Sequence, residues 1–123
     1  MQGVNALVVE EEYLIAADIE QTLRSAGARE VQIFRSVSEI STSPVGRFQL
    51  AIVEAKLGHP DVIALAEHLG RLDIGVVVTS ADRAVQTLFR GTVGLEKPFD
   101  ATALLAACEA ARAARAAPPT APM

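Results

Sequence analysis

Five short apolar runs recur along this chain of 123 residues: NALVV (5–9), VQIF (31–34), QLAIVE (49–54), IGVVVTS (74–80) and TVGLE (92–96). Each is too short for an ordinary helix and lacks polar alternation, the pattern of strands buried on both faces of a parallel sheet. The segments between them have helical spacing. In YLIAADIEQTLRSAG, Ile15, Ile19, Leu23 and Ala26 fall on one face and Gly27 supplies a stop. SVSEI matches a capping box, with Ser36 as N-cap and Glu39 three residues on. The Ser- and Pro-containing stretch 41–47 limits that helix to about two turns.

After the turn GHP (58–60), Asp61 is read as the cap of a helix to Leu69, with Val62, Leu65, Ala66 and Leu69 inward. Segment 82–91 reads as a short helix and 100–117 as an Ala-rich one. PPTAPM (118–123) reads as a disordered tail. Strand and helix thus alternate throughout, which predicts one α/β domain over 1–117: a parallel sheet with helices on both faces, joined by right-handed crossovers.

The composition narrows the class. Half the residues are hydrophobic but only 4% are aromatic and Trp is absent, so the core must be built from Ala, Val, Leu and Ile. A formal charge of −4 argues against a nucleic-acid partner, which needs clustered Lys and Arg. The single cysteine, Cys108, suits a reducing cytosol. No apolar stretch approaches the roughly 20 residues of a membrane span, and the start, MQGVNALVVEEE, lacks the basic region of a signal peptide. The expectation is a small cytoplasmic domain without nucleic-acid or membrane partners.

In doubly wound sheets a site forms beyond the carboxyl ends of the strands. Here those ends supply Glu10, Glu11 and Glu12 after the first run, Glu54 and Lys56 at the third, Thr79 and Ser80 at the fourth, and Glu96, Lys97 and Pro98 at the fifth. A charged residue at a strand end often does no more than meet water. Several carboxylates converging on one edge are different, because they repel unless a cation or lysine stands among them. Lys97–Pro98 is a candidate cis bond, since X–Pro is the bond type that tolerates that geometry.

These residues give the chain a resemblance to the receiver domain of bacterial two-component response regulators, over 4 to about 115. LVVEEEYLIAADIEQTLRSAG resembles the family's first strand and helix, with Glu10 and Glu11 in the places of its acidic pair. LAIVEAKL resembles the segment with the phosphoryl-accepting aspartate, which puts Glu54 at the acceptor position. VVVTSA and LEKPF resemble the fourth-strand and lysine–proline signatures, giving Ser80, Lys97 and Pro98. The resemblance implies a flavodoxin-like (βα)5 fold with strand order 2-1-3-4-5. It also implies a signalling role without enzymatic activity, through a kinase, an output protein or a second copy of the chain. The contact face would span 82–115.

The departures from the family pattern set the functional expectation. Glu54 is one methylene longer than aspartate, and in-line phosphoryl transfer loses roughly a hundredfold for a misplacement of about an ångström. Glu11 stands where an aspartate helps hold Mg²⁺, an ion that demands near-ideal octahedral geometry. Lys56 is a candidate substitute for the cation, and the family's switch position is Gly94, which has no side chain to swing. The expected function is a degenerate, stand-alone receiver locked in one state by a Glu54–Lys97 contact, with no cofactor required. The alternative is a receiver that keeps its chemistry, binding Mg²⁺ through Glu11 and Glu54 in a phosphorelay. His59, His68 and Cys108 are weaker candidates for any chemistry.

Overall fold

In the computed structural model the described residues are 1–40, 46–56, 60–80 and 93–116. The elements are β1 (Asn5–Val9), α1 (Tyr13–Ser25), β2 (Glu30–Phe34), a 3₁₀ turn (Val37–Glu39), β3 (Leu50–Glu54), α2 (Pro60–Arg71), β4 (Gly75–Ser80), β5 (Val93–Glu96) and α3 (Ala101–Ala116). The strands form one parallel sheet of order β2-β1-β3-β4-β5. This is the flavodoxin-like arrangement expected. The short helix read at 82–91, the turn with His59 and the tail lie outside the described residues.

Strand parity explains why the apolar runs are continuous. Leu7, Val9, Ala51, Val53, Val76 and Val78 face one side, where they pack with Phe34, Ile40, Phe48, Leu65 and Leu69. Ala6, Val8, Leu50, Ile52 and Val77 face the other, against Ile19 and Leu23 of α1 and Leu104, Ala107, Cys108 and Ala111 of α3. A central strand between two helical layers has no polar face to offer, hence the absence of alternation.

The helix ends follow local chemistry. Helix α1 stops as read: Gly27 has φ of +108°, and the Gly27 and Ala28 amides donate to Arg24 and Leu23 carbonyls at 3.0 Å. This pair of bonds is a Schellman motif, and the left-handed conformation favours glycine. Asp100 caps α3, its Oδ1 accepting from the Ala103 amide at 2.7 Å.

Two readings are corrected. The segment after β2 is a single 3₁₀ turn, and Ser36 makes no side-chain cap bond. Its hydroxyl pairs instead with that of Ser38 at 2.8 Å. Only the carboxylate half of the capping box forms, displaced by one residue: Glu39 Oε2 accepts from the Arg35 amide at 2.9 Å. Asp61 does not cap α2 but lies in its first turn, because the helix already begins at Pro60. Proline fits there, having no amide to leave unsatisfied and a φ preset for helix.

Register carries these elements to a common edge. Val9 lies opposite both Phe34 and Val53, Glu54 opposite Thr79, and Ser80 opposite Glu96. The residues after β1, β3 and β5 therefore emerge side by side at the carboxyl ends of the strands.

Candidate functional site

At that edge a row of charges alternates in sign. Glu10 is the innermost member, its side chain 1% exposed. Its Oε1 accepts from Lys97 Nζ at 2.8 Å and its Oε2 from the Glu12 amide at 3.1 Å. Lys97 donates a second bond to Oε2 of Glu54. The other Glu54 oxygen, Oε1, lies 3.7 Å from Lys56 Nζ, and Lys56 also pairs with Glu11. The sequence of groups is Glu10, Lys97, Glu54, Lys56, Glu11. It begins and ends on the β1–α1 loop and passes through β3 and the residue after β5.

Depth divides the row. Glu10, Glu54 and Lys97 are largely buried, whereas the Lys56 and Glu11 side chains are 47% and 55% exposed. Lys97 is aimed inward from the residue following β5, where its amide extends the ladder by donating to the Ser80 carbonyl at 3.0 Å. The Lys97–Pro98 bond that follows is cis. Ser80 is buried at the end of β4, beside this group. Gly94 is exposed on the edge strand β5, opposite Val78 in the ladder.

Burial pushes the Glu54 carboxyl above the ordinary glutamate value. The hydrogen bond from Lys97 opposes this and the negative charge of Glu10 adds to it. For Lys97, burial acts to lower the ammonium, but the bonds to Glu10 and Glu54 outweigh it, and the net displacement is upward. One lysine between two carboxylates is therefore held firmly charged, while Glu54 takes up a proton more readily than a free glutamate.

A divalent cation is what the family resemblance implies here, and the arrangement does not fit one. The oxygens that would face it already face ammonium groups, Lys97 within and Lys56 at the rim. Among the described residues no group of three or more His, Cys, Asp or Glu side chains is arranged to hold a metal ion.

The rim contains residues that the sequence reading did not assign to the site. A cleft of about 180 Å³ over the row is lined in addition by Arg35, Ser36, Ser38 and Asp61. Arg35 directly follows β2, so extending the strand-end rule to the second strand finds it. Nothing in the sequence separates Glu10 from Glu11, yet one points into the molecule and the other out. His68, on α2, is exposed and absent from the cleft lining, and His59 lies outside the described residues. Cys108 is buried on α3 within the core.

No protein-family model matches the sequence, nor does any curated protein. Solved structures do. A response regulator receiver protein from Sinorhizobium medicae superposes with a TM-score of 0.76 at 20% identity, covering 92% of this chain and 97% of the other. The signal receiver domain of an HD domain-containing protein from Pseudomonas fluorescens gives 0.74 at 17%, covering 93% and 98%. A putative pilus assembly-related protein from Burkholderia pseudomallei gives 0.71 at 24%, covering 90% of each chain. The fold is that of a receiver domain. With the receiver fold established, the strand-end row occupies the place where such a sheet puts its site. Among the described residues no helix is long and apolar enough to cross a membrane.

Proposed function

We propose that this chain is a receiver-type signalling module that does not cycle through an acyl phosphate and is held in one state by Lys97. The observation that carries the reading is Lys97, which bridges buried Glu10 to Glu54. In a receiver the equivalent lysine is expected to meet a phosphoryl group on a shorter aspartate. Here the longer Glu54 reaches the ammonium itself, and a charge-assisted bond takes the place of the phosphoryl contact. Gly94 has no side chain to report a change at the site.

The output of such a module is a protein contact: another signalling protein or a second copy of the chain. The face at 82–115 is the proposed surface, of which 82–92 lies outside the described residues. No catalysis is required of the module, and its compartment is proposed to be the cytoplasm.

The test is incubation of the protein with a small phosphodonor and Mg²⁺, followed by intact-mass measurement and peptide mapping. The expected result is no phosphoryl increment on Glu54. An adduct at Glu54 would overturn the reading. A second readout is amide hydrogen exchange with and without beryllium fluoride, a phosphoryl mimic. A locked module gives superimposable exchange patterns; protection that changes around Ser80 and Lys97 marks a site still able to switch.

A further inference from the structure

The row has an outer half that the locked-module reading does not use. Lys97 suffices to bridge Glu10 and Glu54, yet a second ammonium, Lys56, pairs with Glu11 and lies 3.7 Å from the remaining Glu54 oxygen. We infer that Lys56 is a built-in counter-ion that closes the mouth of the site to divalent cations, so that the module's state is independent of Mg²⁺ or Ca²⁺. The inference rests on the proposed locked module and adds how that site is insulated from ions.

Three observations support it. Charge comes first: Glu10, Glu11 and Glu54 would together present three negative groups, and the two lysines neutralise all but one. Position comes second. Lys56 bridges β3 to the β1–α1 loop: it pairs with Glu11 and approaches the outer Glu54 oxygen, and both residues line the cleft. Exposure comes third. The Lys56–Glu11 pair is about half exposed, so it lies at the rim, where an ion from solvent would arrive. A tethered ammonium competes with a free ion at high effective concentration, because the loop has already placed it. Removing it leaves Glu11 and the outer oxygen of Glu54 without the ammonium that faces them. Ca²⁺, with its more tolerant coordination, should enter more readily than Mg²⁺.

The experiment uses the whole chain as wild type, Lys56→Gln and Arg35→Gln. Thermal unfolding is followed while CaCl₂ or MgCl₂ replaces NaCl at constant ionic strength. A cation that binds only the folded protein raises Tm with its concentration. The expected result is a saturable rise for Lys56→Gln, larger with Ca²⁺, and none for wild type. Arg35→Gln removes another positive charge from the same cleft but not from the row, and should behave as wild type. The inference is overturned if Lys56→Gln shows no cation response, if wild type shows an equal one, or if Arg35→Gln reproduces it. These failures are separate from a phosphoryl adduct on wild-type Glu54, which would sink the locked module itself.

Discussion

At the scale of single residues, the candidate site is decided by depth and by which side chains reach one another. Lys97 reaches both Glu54 and Glu10, and Glu10 is buried with a bond to each of its oxygens. Lys97→Met would leave Glu10 buried and short of its cation. Breaking a buried pair from one side costs about 3–5 kcal/mol. The partial exposure of Lys97 places the expected loss near the lower end, measured by urea unfolding; a change within error would show that water replaces the ammonium.

Glu54→Gln tests the same group through pH. The folded-state value of Glu54 is raised, so its contribution to stability is fully present below the ordinary value of about 4.3 and is lost as pH rises through the higher folded value. The groups facing Glu54 are Glu10, Lys97 and Lys56, all retained in the variant. The stability of wild type minus Glu54→Gln should therefore fall as pH increases from about 4.3. A difference that rises over that interval would mean that Lys97 dominates and the carboxyl is lowered.

At the scale of elements, close approach matters more than side-chain identity. Gly75 opens β4 beneath α3, and a Cβ there would stand 2.9 Å from the carbonyl carbon and oxygen of Ala111. Backbone cannot retreat as a side-chain tip can, so Gly75→Ala should destabilise by about 1–3 kcal/mol, the range for overpacking. Denaturant unfolding checks it, and a neutral variant would mean that α3 slides freely on the sheet. The sequence made the strands legible because a parallel sheet between two helical layers leaves apolar runs unbroken. It made α1 legible through Gly27, and Asp100 as the start of α3. The capping box at Ser36 misled, because Ser38 competes for the serine hydroxyl. The site was legible as a set of strand-end residues. What the sequence did not contain was the order of the charges, since adjacent Glu10 and Glu11 differ only in direction. That direction is fixed by the Glu12 amide and by a lysine 87 residues away.

At the scale of the molecule, the site and the core occupy different parts of one sheet. Charges gather at the carboxyl edge while the faces are apolar on both sides, so a change in the row need not disturb the layers. Cys108 offers a probe of the layers as a whole. It is fully buried between α3 and the sheet, and burial pushes its thiol up to about 12, with Arg112 opposing. Thiolate is the reactive form, so the folded protein should resist alkylation at neutral pH. Labelling must then wait for an opening that removes α3 from the sheet. Because α3 packs against β4 and β5 and also against α1, that opening exposes much of one core face at once. The rate of Cys108 modification by iodoacetamide should therefore follow the global unfolding free energy, shifting in step when Lys97→Met or Gly75→Ala lowers it. A labelling rate insensitive to those variants would instead mark α3 as a unit that detaches by itself, leaving the sheet and its charged edge standing.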